Sequence, residues 1–359
     1  MAAAPGRDTR SEPRYHRAMG RTLLVGNPTA QSGKNAARIE RARAALEREG
    51  VAHDFLATLP AGGTVSAVSA ALAAGGYECA VYMGGDGTFA EVAKGILASG
   101  RARTVRLGML PTGTANDQGR SFGLSSADDQ IERNVRVVAE ACETALDVGR
   151  LFALDERGAP IKDDLFFDSA GWGISPRVLA ARNEDRRVVA DLPVVREVYR
   201  DQMVYAGALL RTFLGSLGVD EKFDAEVVAD GERTLWEGLT DVIVKGTRIY
   251  GGLWVLDPKA RHDDGKFEIV PFIGRRDFIS KALVHLEQTG ALSESLEEIG
   301  VTASKGLSAA RIDVAFRRRE GCPPLVGQLD GEEFPATARV RVEVLPRLLR
   351  IVVPREWTA

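Results

Sequence analysis

The sequence predicts two architectures in one chain, an α/β fold followed by an all-β fold. Two observations carry this. Up to about residue 147, short apolar runs alternate with helical patterns, which points to a parallel sheet. Beyond Asp147 the pattern changes to stretches of period-two alternation, which reads as antiparallel strands. A length of 359 residues suits about two domains, and 45 % apolar residues is ordinary for a globular protein.

Residues 1–20 are polar and mixed in charge, lack the apolar core of a signal peptide, and read as a disordered arm. Residues 22–25 form a buried strand. Residues 36–49 form a helix closed by Gly50, with Ala37, Ile39, Ala45 and Leu46 toward a core. "VSAVSAALAAGG" (65–76) is a second helix. "CAVYM" (79–83) is a strand, "TFAEVAKGIL" (88–97) a helix, "VRLGML" (105–110) a strand, and 131–140 a further helix. In the second part, Phe223, Ala225 and Val227 share one strand face, as do Ile312, Val314 and Phe316. One helical pattern interrupts these strands at 201–217. Its Leu209, Leu210, Phe213, Leu214 and Leu217 make it more apolar than one buried stripe requires.

Bulk properties exclude several classes. With 47 basic and 50 acidic residues, the chain has no basic excess of the kind nucleic acid selects. Cys79, Cys142 and Cys322 are too few and scattered for a disulfide framework or a zinc cluster. No apolar run is long enough for a transmembrane helix. A cytoplasmic protein is expected.

Three polar, glycine-containing turns follow three of the parallel strands. "GNPTAQSGKN" (26–35) fails the P-loop pattern, because six residues separate Gly26 from Gly33-Lys34 and Asn35 stands where a hydroxyl is required. "MGGDGTFAEVAKG" (83–95) places glycines before a helix N-terminus, whose free N–H groups and dipole suit phosphate. Asp86 in such a turn would act through Mg²⁺ or water, or orient other groups. "LPTGTANDQGR" (110–120) repeats the arrangement with Thr112, Gly113, Thr114, Asn116 and Asp117. Each turn alone is equally a capped turn. Turns after neighbouring parallel strands collect at one sheet edge, and that convergence points to a ligand.

In this order and spacing, "GNPTAQSGK", "GGDGT" and "LPTGTAND" resemble the diacylglycerol kinase catalytic domain family, which includes bacterial lipid kinases and sphingosine and ceramide kinases and is related to the NAD kinases. The resemblance extends through "YGGLWVLDPKARHDDGKFEIV" (250–270), "LDGEEF" (329–334) and "VRVEVLPRLLRIVVP" (340–354), covering roughly residues 21–355. It implies an N-terminal three-layer α/β nucleotide-binding domain (21–147 with 333–359) and a C-terminal β-sandwich with inserted helices for the lipid (148–332). The active site would lie in the cleft. It also implies ATP as phosphoryl donor and Mg²⁺ as cofactor. Asn27, Ser32, Gly33 and Lys34 match its early turn. Gly84, Gly85, Asp86, Gly87 and Thr88 match its nucleotide phosphate loop. Thr112, Gly113, Thr114, Asn116 and Asp117 match its third loop, and Asp330 and Glu332 its late acidic motif.

Within that resemblance Asp330 is the expected general base, with Glu332 orienting it or helping to hold the metal. Asp86 is the rival base. Asp86 and Asp117 are candidate metal contributors, and Asp264 belongs either to a separate cation site or to a hairpin turn. Lys34 or Arg38 would neutralise the transferred phosphoryl group. Two departures stand out. Asp168 occupies a position where the family usually has Asn, and "KGT" (245–247) replaces a Gly/Ser-Asn-Gly/Ser segment. The expected acceptor is a membrane lipid with a primary hydroxyl, diacylglycerol ahead of sphingosine or ceramide. Contact with the inner face of the membrane would be transient and peripheral, and a homodimer is compatible with this reading. The rivals are an NAD kinase-like enzyme with a soluble acceptor and a nucleotide- or lipid-binding protein without turnover.

Overall fold

The computed structural model describes residues 20–113, 116–174, 176, 222–250, 254–255, 260–273, 306–318, 322 and 325–357. The N-terminal stretch expected to be an arm, the helical pattern at 201–217, Thr114, and most of the "YGGLWVLDPK" segment therefore lie outside the described residues, as does the side chain of Ser32.

The first part runs β1 (Thr22–Gly26), α1 (Lys34–Arg48), β2 (His53–Ala57), α2 (Gly63–Ala73), β3 (Cys79–Gly84), α3 (Asp86–Ala98), β4 (Arg106–Pro111), α4 (Asp117–Ser121) and α5 (Ile131–Glu140). The strands pair in parallel in the order β2-β1-β3-β4. α1 packs with α5 and α2 with α3, so helices sandwich the sheet in three layers. β1, β3 and β4 are buried along their whole length, which is why they read as continuous apolar runs. Strand β2 was not expected. Its sequence HDFLA has two polar residues in five, and every residue is only half-buried at the sheet edge. Ala37 is exposed, contrary to expectation. The buried stripe of α1 is Asn35, Ile39, Ala42, Ala45 and Leu46, and Ala37 lies about 200° around the helix from Ile39.

The second part contains β5 (Glu143–Leu154), β6 (Pro160–Phe166), β7 (Ser169–Gly173), β8 (Phe223–Ala229), β9 (Glu232–Leu239), β10 (Asp241–Lys245), β11 (Ile249–Tyr250), β12 (Trp254–Val255), β13 (Phe267–Phe272), β14 (Leu307–Ala309), β15 (Arg311–Arg317), β16 (Leu325–Leu329), β17 (Glu332–Thr337) and β18 (Arg339–Val352). One sheet runs β14-β13-β10-β7-β16-β17, antiparallel throughout. The facing sheet contains β15, β8 and β9 and joins the first part through β18. Phe166, Trp172, Phe223, Val227, Phe267, Ile312, Val314 and Val342 fill the space between. The alternating faces of β8 and β15 point inward, as expected.

Strand β18 connects the two parts. Its Ile351 pairs in parallel with Leu107 of β4, while Val340 and Val342 pair with Val314 and Ile312 of β15. Along its other edge lies β5, with a register break between Leu345 and Leu349. Asp147 secures that break. Its fully buried carboxylate accepts the Arg347 N–H and the Gly265 N–H, both at 2.6 Å. Burial, outweighing these two bonds, pushes Asp147 up to about 6.

Candidate active site

Parallel register brings the three turns to one edge. Gly26 pairs with Met83, and Gly84 with Pro111, so the chain leaves β1, β3 and β4 side by side. The order β2-β1-β3-β4 puts the crevice between β1 and β3 at the carboxyl ends, where open α/β sheets take ligands.

Asn27 closes the first turn on itself, its Oδ1 accepting the Thr29 N–H and hydroxyl at 3.0 and 2.8 Å. Gly33 caps α1 at φ 84°, and Lys34 stands exposed at its first position. Arg38 is not a solvent-facing helix arginine. It donates to the Thr112 carbonyl and pairs with Asp128, so it ties α1 to the third turn.

At the second turn, Gly85 is extended and α3 starts at Asp86, two residues earlier than the sequence pattern indicates. The helical bonds begin with the Phe89 N–H on the Gly85 carbonyl. The N–H groups of Asp86, Gly87 and Thr88 thus precede the helical ladder and face the crevice end of the sheet. The third turn is fastened to the second. Thr112 and Gly113 both donate to the Gly84 carbonyl, at 2.7 and 3.1 Å. Asn116, at φ 55°, exchanges two side-chain bonds with Gly113. A Cβ on Gly113 would stand 2.5 Å from the Gly85 Cα, so glycine is required there by contact rather than by φ. Gly113→Ala should therefore force the second and third turns apart. The expected cost is about 1–3 kcal/mol of stability, read as a lowered melting temperature. An unchanged melting temperature would mean that the two turns are not in close backbone contact.

The sandwich brings its acidic turn to the same place. Asp330 and Gly331 join β16 to β17, with Asp330 at φ 48°. The Asp330 carboxylate accepts the N–H groups of Phe167 (2.8 Å), Asp168 (2.7 Å) and Ser169 (3.0 Å). Three of roughly four lone-pair sites are thereby used, leaving one on Oδ2. Burial and the nearby Asp168 carboxylate push Asp330 up to about 7, against the pull of those three donors. Glu332 is exposed and approaches α3, with its Oε1 3.7 Å from where a Gly87 Cβ would stand. Burial and Asp168 also push Asp86 up, to about 6.

Among the described residues, side-chain contacts join the two parts here. Gln118 of α4 donates through Nε2 to the Phe167 carbonyl at 2.7 Å, and its backbone N–H donates to Asp86 Oδ1 at 3.4 Å. The Phe167 ring meets Phe89 of α3 edge-on at 5.8 Å. Lys94 of α3 pairs with Asp164 of β6 at 2.7 Å. The sequence singles out neither Phe167 nor Gln118, although Gln118 lies within the third-turn segment "LPTGTANDQGR".

The two departures turn out to be one feature. Lys245 Nζ and Thr247 Oγ1 both donate to Asp168 Oδ1 at 2.5 Å, and all three residues are buried. Their opposite charges were the signal available in the sequence. Asp117 is buried at the start of α4. Asp264 is exposed in a turn, accepting the Lys266 N–H at 3.0 Å. Among the described residues, no three His, Cys, Asp or Glu side chains gather as a metal cage.

Comparison with known proteins adds independent findings. The diacylglycerol kinase catalytic domain matches residues 21–151. A diacylglycerol kinase of Mycobacterium tuberculosis is 26 % identical over 349 residues, covering 94 % of this chain and 96 % of that protein. A protein of Pseudomonas aeruginosa described as "Probable lipid kinase YegS-like" is 30 % identical over 330 residues, covering 90 % of this chain and 92 % of that one. A crystal structure of a diacylglycerol kinase from Bacillus anthracis superposes with a TM-score of 0.65 at 18 % identity, covering 94 % of this chain and 99 % of that one, which shows the shared α/β plus β-sandwich fold.

Proposed function

The chain belongs to the diacylglycerol kinase catalytic domain family, and we propose that, as an ATP-dependent lipid kinase, it transfers the γ-phosphoryl group of ATP to the primary hydroxyl of diacylglycerol. The observation that supports this best is the approach of Glu332 to the N-terminus of α3, on the same β16–β17 turn as the cradled Asp330. Phosphoryl transfer needs charge neutralisation, in-line positioning and a base near the acceptor oxygen. The N–H groups at the start of α3 suit the phosphates of ATP, and Lys34 lies at the neighbouring turn for the transferred group.

Asp330 takes the acceptor proton at the lone pair left on Oδ2. A base with a pKa near 7 is about half ionised at neutral pH and still basic enough to pull. Asp86 and Asp117 would hold Mg²⁺ beside the phosphates. One or two carboxylates with phosphate and water suffice for that ion. Bound there, Mg²⁺ would neutralise charge on the phosphate oxygens.

Among the described residues, no helix is long and apolar enough to cross a membrane. We infer that the lipid is approached by transient docking at the bilayer surface.

The pH dependence follows from Asp330. Only its ionised form accepts a proton, so turnover should fall about tenfold per pH unit below roughly 7 and level off above it. A rate flat from pH 5 to 8 would remove Asp330 from the base role. The acceptor is tested with Mg·ATP and a panel of diacylglycerol, sphingoid base, ceramide and NAD, with products identified by mass spectrometry. Diacylglycerol should have the highest kcat/KM. Efficient use of NAD with no lipid product would sink the lipid reading and leave ATP binding standing.

A further inference from the structure

Asp86 of α3 and Asp330 of the sandwich each lie within electrostatic reach of the Asp168 carboxylate. Lys245 brings a cation to them from the end of β10, where it pairs opposite Ser169 of β7. Its side chain is 1 % exposed and bonded to Asp168, and its Nζ also lies 5.6 Å from the Tyr250 ring centroid. Next in the chain, the Gly246 N–H donates to the Asp168 carbonyl at 2.9 Å. Asp168 therefore faces two ways. Its side chain and carbonyl are held by residues 245–247, and its own N–H holds Asp330.

A buried lysine and a buried aspartate are each costly unless paired. Phosphoryl transfer as described above uses neither of them directly. We infer that Lys245 is a positioning residue for this transfer: by neutralising Asp168 and tying it to β10, it fixes the three N–H groups that cradle Asp330. This rests on the lipid-kinase reading. Without the ammonium, an Asp168 carboxylate held by the Thr247 hydroxyl but no longer neutralised would stand beside the Asp330 carboxylate. The two like charges repel, and the residues that must give way are those forming the cradle. The charges at 168 and 245 are then interdependent. Either one alone is harmful, and a neutral pair is tolerated.

The test compares the full-length wild type with Lys245→Met, Asp168→Asn and the double variant. The readouts are kcat and KM for ATP and for diacylglycerol in mixed micelles, measured well below the lowest melting temperature. K245M should lower kcat about tenfold or more while KM for ATP stays within about twofold, because the loss is in positioning and not in nucleotide binding. The double variant should recover at least about fivefold in kcat over K245M, a coupling that independent sites do not show. Wild-type kcat in K245M overturns the inference, as does a double variant that regains melting temperature without regaining kcat. If K245M does not fold, the double variant decides against wild type. A kcat within about tenfold of wild type supports the inference, and a larger loss at unchanged melting temperature overturns it. A wild type inactive on every lipid is a different failure, that of the kinase reading itself.

Discussion

Replacing Asp330 with asparagine should lower kcat on diacylglycerol by about 10²- to 10⁴-fold, the usual contribution of a general base, while Mg·ATP affinity holds. The loss has two sources. The amide has almost no basicity. It also replaces one acceptor oxygen by an NH₂ group, which must face either the Phe167 N–H or the paired N–H groups of Asp168 and Ser169. Donor then meets donor, and the cradle loses at least one bond. Calorimetry with Mg·ATP and a melting curve separate the lost base from a displaced loop. If Asp330→Asn turns over at nearly the wild-type rate, the base role passes to Asp86, whose pKa of about 6 also suits proton transfer.

Truncating Phe167 to alanine should cost about 3–5 kcal/mol. Phe167 is fully buried and belongs to the core of the α/β part, although its backbone leads into β7 of the sandwich. Its ring stands edge-on to Phe89, which stands edge-on to Tyr82 at 5.4 Å. Its N–H holds Asp330 and its carbonyl takes the Gln118 amide. The ring is thus the apolar plug of the junction whose backbone forms the site. At roughly 2–4 °C per kcal/mol for parts of this size, the melting temperature should fall by about 6–20 °C. Turnover should drop even well below melting, because the cradle relaxes into the cavity. A shift under about 1 kcal/mol would mean that the surroundings collapse onto the gap and that the junction is not rigid.

Much of the fold was legible because burial leaves a plain pattern. β1, β3 and β4 are buried on both faces and read as apolar runs, β8 and β15 are buried on one face and read as alternation, and α5 spans the expected residues. β2 was not legible, because an edge strand that is half-buried throughout has no such contrast. The glycine turns were legible because backbone contact, as between Gly113 and Gly85, admits only one residue type. The side chains that join the parts were not. Gln118 and Phe167 are ordinary residues for a helix and a strand end, and only folding brings them together across 49 positions. Asp168 and Lys245 are 77 positions apart, so their charges read as two unrelated departures until the β7–β10 register, which sets Lys245 opposite Ser169, brings their side chains together.

Label transfer tests the central claim most directly. The full-length protein is incubated with Mg²⁺, ATP labelled in the γ-phosphoryl group, and diacylglycerol in mixed micelles. The account predicts that label appears in phosphatidic acid, that it depends on both lipid and protein, and that it is lost with Asp330→Asn. Label found only in inorganic phosphate or left in ATP, with a folded protein that binds Mg·ATP, would contradict the account.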